Sequence, residues 1–529
     1  MRRGEWRWVA GAVVVLVVVS SLPYAIAWAT TPEGAGFTGL VFNPQDGHSY
    51  LAKMRQGLEG SWRFQLTYTP ERSPGAPVYL YHLWLGHVAR WTGLPLIGVY
   101  HGARILGGVA MLMGIYALAC QLSDRRRERG TMFLLTALGS GVGWLAGVVG
   151  VQTADLWVAE AFPAYSLMGN AHFPLAIGLM TAIGVGGLRV AELTRSTENH
   201  QATVWPWGIG MTVAAVLLGG IQPFGLVPVF GGLGVMVVAR AVREGSIPRR
   251  AGAWVAAAGA AALPYPVYMQ LAIRADPVLA AWNAQNATSS PPLWDWALSY
   301  GLVLVLAVLG GRAALRRGSD GDWLLVGWIL VTVIGMVVPH PLQRRLSLGL
   351  GVPVGLLAGV GWWRGARAKI QPRRRGLWRG LAIGLSALTP VFLMAMVSLA
   401  ALAGEPWFYL SDGEWAALRW LRDEGRPEVV VLCAPQTGTF VPSWAGQRVV
   451  YGHPFETLDA ERRRAEVEAV WGGEMSAAEE ERFLEENQVR YVMLGPRERA
   501  LGAGVERSGE FGVLVFETED VKVYDVSGQ

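Results

Sequence analysis

Charge and cysteine are both scarce in this chain of 529 residues: Asp, Glu, Lys and Arg supply 16% of it, and it has two cysteines. So little charge is lean for a soluble protein of this size. Cys120 ends one apolar run and Cys433 lies deep in the C-terminal region, so the sequence holds no disulfide framework and no thiolate metal site. It also lacks an internal repeat and a disordered low-complexity tract. The Ala/Gly-rich stretch 251–262 reads instead as a tightly packed membrane helix.

What is abundant is apolar: 52% of the residues are hydrophobic, with 24 Trp and 68 Gly. Trp favours membrane interfaces, and Gly lets helices approach closely. Runs of roughly the twenty residues that span a bilayer lie near 8–29, 97–121, 131–151, 172–190, 204–220, 222–240, 251–272, 293–311, 322–338, 346–363 and 380–403. The spacing predicts a polytopic α-helical membrane protein with about eleven transmembrane helices. Met1 to Arg7 is basic, and Ala25-Ile26-Ala27 faintly resembles a signal-peptidase site; the first run is expected to stay as a helix.

The Arg residues set the orientation. Alternate loops hold Arg125–Arg129, Arg189 with Arg195, Arg240–Arg250, Arg312–Arg317 and Arg364–Arg379, whereas loop 152–171 has no Lys or Arg. The positive-inside rule then puts the N-terminus in the cytoplasm and the C-terminus outside a cytoplasmic (plasma) membrane. That placement also accounts for the net charge of +5 without a nucleic-acid partner. The expected domains are a transmembrane part, 1–404, with a long external loop at 30–96, and an extracytoplasmic soluble α/β domain, 405–529. Val78–Trp91 is too short to span and suits an interfacial helix. In the C-terminal part, helical signals at Glu414–Glu424, Asp459–Val470 and Ala477–Glu486 alternate with strand signals at Val429–Cys433, Arg448–Tyr451, Arg490–Leu494, Val513–Glu517 and Val521–Val526, the last two forming a hairpin.

Ionisable side chains are nearly missing from the centres of the runs. Ion-coupled transporters place carboxylates near the midplane, so attention moves to the external loops. The first contains Asn43-Pro44-Gln45-Asp46-Gly47-His48-Ser49-Tyr50, and then Leu51 to Leu58, with Tyr50, Leu51, Met54 and Leu58 on one helical face and Lys53, Arg55 and Gln56 on the other. That pattern predicts a short helix on the membrane surface with Asp46 at its start, as a helix cap or as a reactive carboxylate. The next external loop carries Asp155 and Glu160, and leads to His172. Arg344 and Arg345 fall outside against the topological bias, where guanidinium forks suit a phosphate; His101 and Arg104 are further candidates for the same task. Trp282, Asn283, Gln285 and Asn286 offer an indole and amides for a sugar. Pro435–Thr439 and Gly452–Thr457 follow strand signals, where α/β domains bind ligands.

On four features the chain resembles the GT-C superfamily of membrane glycosyltransferases, which includes protein mannosyltransferases and aminoarabinose transferases using polyprenyl-phosphate-linked sugars. Asp46 opens the first long external loop with Tyr50 four residues on, surface helices fill that loop, Asp155 and Glu160 form a second acidic cluster, and a soluble domain ends the chain. The resemblance implies transfer of a sugar from a polyprenyl-phosphate donor to a lipid, glycan or protein acceptor by inverting displacement. It makes Asp46 the general base, with Asp155 and Glu160 as further catalytic carboxylates, and His48, Tyr50, His101, Arg104, His172, Arg344 and Arg345 as substrate ligands. It leaves open a divalent metal held by Asp46, Asp155 and Glu160, since hard cations need several converging oxygens. Gly47 stands where many members have a second acidic residue. The rival readings are a transporter or flippase for lipid-linked or small polar substrates and a non-catalytic envelope protein.

Overall fold

The computed structural model describes residues 3–195, 201–426, 428–502 and 511–526. Seven of the described helices are long and apolar enough to cross a membrane: Gly4–Ala29, Leu96–Leu122, His172–Leu193, Val204–Ile221, Pro223–Glu244, Leu293–Arg317 and Asp320–Val337. The pair Pro372–Ser386 and Leu388–Leu402, bent by 43°, makes an eighth if taken as one span. The difference from eleven lies in three runs that are helical but interrupted. The run at 131–151 divides into Arg126–Ala137 and Gly143–Val148. Between them Gly141 lies so near Leu298 that a Cβ would stand 1.9 Å from its carbonyl oxygen. The run at 251–272 breaks into Arg249–Ala262 and Pro264–Ala275, where Pro264 brings no N–H to the helix ladder. The run at 346–363 yields only Gly351–Arg364, behind a 3-10 turn at Arg344–Ser347 and Gly349 at φ 71°.

The chain forms two compact units, one of residues 1–22, 101–268 and 288–396, the other of 23–100, 269–287 and 397–529. In the first, the helices Leu293–Arg317 and Gly351–Arg364 meet backbone to backbone, because a Cβ on Gly361 would lie 1.9 Å from the carbonyl oxygen of Leu306 and one on Gly310 1.8 Å from that of Leu357. Such small-residue contacts hold helices together where burial from water gives no driving force.

The second unit contains all the described strands. Ala35–Phe37 (β1) pairs antiparallel with Tyr409–Ser411 (β2). Val430–Leu432 (β3), Arg448–Val449 (β4), Val489–Leu494 (β5), Val513–Glu517 (β6) and Lys522–Asp525 (β7) form a sheet in the order β4-β3-β5-β7-β6. β3 runs parallel to β4 and β5, while β7 is antiparallel to β5 and β6. Alternation along the strands divides the core. Val431, Cys433, Tyr491 and Met493 pack with Leu418, Leu421, Phe440 and Val441, and Val430, Leu432, Val492 and Leu494 pack with Val467, Trp471 and Phe483. The helices Asp412–Asp423 and Ala477–Glu486 each begin in a capping box, Ser411 with Glu414 and Ser476 with Glu479. Residues 23–100 and 269–287 belong to this same unit, so its boundary does not follow a single cut near 404.

The helix that carries Asp46 spans Pro44–Leu58. It does not present Lys53 and Arg55 to solvent as its amphipathic pattern predicts, for they are 1% and 7% exposed. One side packs on helix Leu80–Thr92, where a Cβ on Gly57 would meet the carbonyl oxygen of Leu83 at 2.1 Å. Arg55 donates from Nε to the Ser443 carbonyl oxygen at 2.9 Å, tying it to helix Thr437–Trp444.

Candidate active site

Asn43 adopts the left-handed conformation (φ 48°) just ahead of Pro44, whose fixed φ suits the first helical position, and so starts the helix with Asp46 in its first turn. Asn43 occupies the N-cap position, and its side chain makes no capping hydrogen bond. Asn43 Nδ2 donates to Asp46 Oδ2 at 2.6 Å, and His453 Nε2 lies 3.2 Å from Asp46 Oδ1. The tautomer of His453 follows from its other nitrogen: Nδ1 accepts the backbone N–H of Phe455 at 3.1 Å, so the ring proton sits on Nε2 and is donated to Asp46. Two neutral donors therefore aim a carboxylate whose side chain remains 35% exposed.

One turn on, the same helix is locked to the same loop. Lys53 pairs with Glu456, and Ser49 Oγ donates to Glu456 Oε1 at 2.5 Å. The ammonium also donates to Ser49 Oγ at 2.7 Å and lies 4.9 Å from the Tyr79 ring centroid and 5.3 Å from those of Tyr50 and Phe64. Burial pushes the Glu456 carboxyl up, but the Lys53 charge and the hydrogen bonds from Lys53 and Ser49 outweigh it and hold the group below its usual value. The loop is gripped from a third side, since Trp282 Nε1 and Asn286 Nδ2 donate to the Phe455 carbonyl oxygen at 2.9 and 2.8 Å and Gln285 Nε2 to that of Thr457 at 2.7 Å. The Trp282 indole N–H and the Gln285 and Asn286 amides, three of the four groups expected to meet a sugar, are thus engaged in holding the His453 loop, while Asn283 is exposed.

Asp155 belongs to the first unit and is 2% exposed. Its Oδ2 accepts from the N–H groups of Gly141 and Gly143 at 3.2 and 3.1 Å and from Thr389 Oγ1 at 2.9 Å, while Oδ1 accepts from Thr153 Oγ1 at 2.7 Å. Burial raises its pKa against these four hydrogen bonds. The carboxylate for which the family resemblance implies a catalytic role here serves as an internal cap for the break at 139–142. Glu160 lies 3.8 Å from Arg344 Nε, and the Arg344 guanidinium stands 4.8 Å from the Trp157 ring centroid. A carboxylate and an indole thereby orient the cation expected to meet phosphate.

The remaining expected ligands divide clearly. Tyr50 is half-buried, stacked on His82 at 4.7 Å, and Arg345 is half-buried in the Arg344–Ser347 turn. His48, Arg104 and His172 are buried. Ser443 Oγ donates to the Phe440 carbonyl oxygen and so accepts from His48 Nδ1, 3.1 Å away; desolvation lowers the pKa of this imidazole to about 3. Arg104 spends its three nitrogens on the Leu167 carbonyl oxygen (2.7 Å), Ser21 Oγ (2.9 Å) and Nδ1 of half-buried His101 (3.3 Å). The His172 ring packs on Phe173 at 4.2 Å. Among the described residues no group of three or more His, Cys, Asp or Glu is placed to hold a metal ion. With Asp155 accepting from four donors and Glu160 beside Arg344, these residues do not fit a divalent metal.

His453 and Glu456 are the partners that residue patterns did not single out. Their only sequence signal is their place in the loop after a strand, Gly452–Thr457.

No protein-family model and no curated protein sequence matches the chain. Solved structures do. The apo form of the Archaeoglobus fulgidus oligosaccharyltransferase superposes over 92% of this chain and 69% of its own, at TM-score 0.55 and 12% identity. ArnT from Cupriavidus metallidurans bound to undecaprenyl phosphate covers 98% of both chains at TM-score 0.55 and 12% identity. The arabinofuranosyltransferase AftD from Mycobacteria covers all of this chain and 40% of its own at TM-score 0.51 and 15% identity. With at least seven apolar helices, the chain is a polytopic helical membrane protein. Its fold is similar to those of the oligosaccharyltransferase, ArnT and AftD.

Proposed function

We propose that this chain is a membrane glycosyltransferase that moves a sugar from a polyprenyl-phosphate-linked donor to an acceptor on the outer side of the cytoplasmic membrane. The observation that carries this reading is the half-exposed Asp46 carboxylate, aimed by Asn43 and by a His453 of defined tautomer, in a fold shared with ArnT and the oligosaccharyltransferase. Asp46 takes the proton of an acceptor hydroxyl as that oxygen bonds to the anomeric carbon. The bond from that carbon to the phosphate oxygen breaks, its electron pair leaves with the polyprenyl phosphate, and the carbon inverts. Arg344, steadied by Glu160 and Trp157, is the proposed ligand of the lipid phosphate, and Arg345 its neighbour in that role. His453 positions the base and does not exchange its proton.

The test uses purified protein with undecaprenyl phosphate and radiolabelled undecaprenyl-phosphate sugars. Asp46→Asn should cut transfer about a hundredfold or more while lipid binding is unchanged, and Arg344→Ala should weaken lipid binding about tenfold. His453→Ala should slow transfer about tenfold, with His453→Gln, which keeps an N–H donor, recovering most of it. Full transfer by Asp46→Asn overturns the assignment.

A further inference from the structure

The sheet of the second unit has a feature that the proposed chemistry does not use. From β3 the chain leaves through helix Thr437–Trp444 to β4 on one side, whereas from β5 it leaves through Pro496–Arg499 towards β6 and β7 on the other. Two neighbouring parallel strands whose outgoing connections diverge leave a crevice at their carboxyl ends, the place where open α/β sheets bind ligands. A cavity of about 750 Å³ lies there, lined by Pro435 and Gln436 after β3, Tyr451 after β4 and Pro496 after β5, with Trp407 and Gln45 completing it. That volume is in the range of a small-molecule site.

The chemistry of the lining selects the occupant. Such crevices hold phosphates through the backbone N–H groups of the loops leaving the strands, but here Glu498, fully buried, accepts the N–H of Ala434 at 2.7 Å and that of Gly495 at 2.8 Å. The protein's own carboxylate fills the anion's place. The lining has three carboxylates, Glu33, Glu414 and Glu468, against two guanidiniums. Arg497 is held by buried Glu414, while Arg464 is exposed and pairs with Glu468 on its own helix, so the lining keeps an excess of negative charge. A nucleotide or a free phosphate is therefore disfavoured by charge and by lost donors. What remains for recognition is Gln45 and Gln436, half-buried amides able to donate and accept, beside the aromatic rings of Trp407 and Tyr451. Hydroxyls meeting amides while C–H faces lie on aromatic rings is the chemistry that holds an uncharged sugar. Gln45 adjoins Asp46 in the chain, so the lining begins one residue from the proposed base.

We propose that this cavity binds an uncharged glycan, the sugar chain of the acceptor. It rests on the transferase reading only in calling that glycan the acceptor. The test is titration of the full chain in lipid nanodiscs, free of glycoside detergents, with maltohexaose, mannohexaose and arabinohexaose, followed by saturation-transfer NMR and calorimetry. At least one hexasaccharide should bind saturably, and neither AMP nor inorganic phosphate should displace it. Gln436→Ala should weaken binding about fivefold. Ala500→Trp, which fills the cavity from an exposed rim position, should weaken it at least about tenfold, with retained protection of Cys433 from alkylation showing that the unit is folded. Binding by none of the three, binding indifferent to both variants in folded protein, or displacement by AMP overturns the proposal. Asp46→Asn should leave glycan binding intact, so a failure of the transfer assay and a failure of this site are read separately.

Discussion

Replacing Lys53 by Met removes the cation from a pair in which Lys53 is 1% and Glu456 7% exposed. Removing one member of a buried pair costs ~3–5 kcal/mol, because the other charge stays desolvated. Lys53 also has three aromatic rings within 5.3 Å of its ammonium, which places the expected loss in the upper half of that range. Cys433 supplies the assay. It is 2% exposed in the sheet core, and burial pushes its thiol well above the ordinary range, so it reacts only when the unit opens. In a Cys120→Ser background Cys433 is the one remaining thiol of the two. Its alkylation rate in detergent, where reclosing outpaces labelling, reports the free energy of opening. A loss of ~3–5 kcal/mol corresponds to labelling faster by roughly two hundred- to five thousand-fold. Lys53→Met with Glu456→Leu should recover most of that protection, because an apolar pair of similar volume replaces a buried ion pair at little cost. Labelling of Lys53→Met within about threefold of the parent would refute the account of this pair as the lock between the Asp46 helix and the His453 loop.

Two further outcomes follow from groups that sequence pattern assigned to substrate or catalysis. His48 is neutral when folded, its pKa lowered by burial to about 3 from the ordinary imidazole value of about 6.5. The unfolded chain therefore binds the extra proton between those values, so stability is full above about 6.5 and falls as pH drops, by ~1.4 kcal/mol per unit. His48→Asn, which keeps a donor for Ser443, should flatten that slope in Cys433 labelling corrected for thiolate content; an unchanged slope counts against the buried neutral imidazole. The depressed Glu456 carboxyl adds a separate loss only as pH falls below about 4. In the first unit, Asp155→Ala strips the acceptor from the N–H groups of Gly141 and Gly143, at ~1–3 kcal/mol each. Hydrogen exchange at those two amides should accelerate at least about tenfold, and unchanged exchange would show that Asp155 is not their cap.

The sequence carried the periodic part of this structure and little of the convergent part. Strand signals at Val429–Cys433, Arg490–Leu494 and Val513–Glu517 coincide with β3, β5 and β6 because short runs rich in β-branched and aromatic residues favour the pleated backbone, whether buried as in β3 and β5 or largely exposed as in β6. Helical runs were equally legible, but hydropathy cannot see a break produced by a close backbone approach, as at Gly141, or weigh one proline, as at Pro264. The amphipathic pattern of Pro44–Leu58 misled for a related reason. Lys53 and Arg55 read as a solvated face, yet a charge is buried as readily when its partner arrives from a distant segment, and Glu456 lies 403 residues away. The same separation hid His453, which lies 407 residues from Asp46 in the chain. Family resemblance and a place at a helix start single out Asp46 as a candidate, and neither states what aims it. The chemical reading therefore rests on a contact no local pattern encodes: the backbone N–H of Phe455 fixes the proton of His453 on Nε2, and that proton turns an ordinary first-turn aspartate into an oriented one.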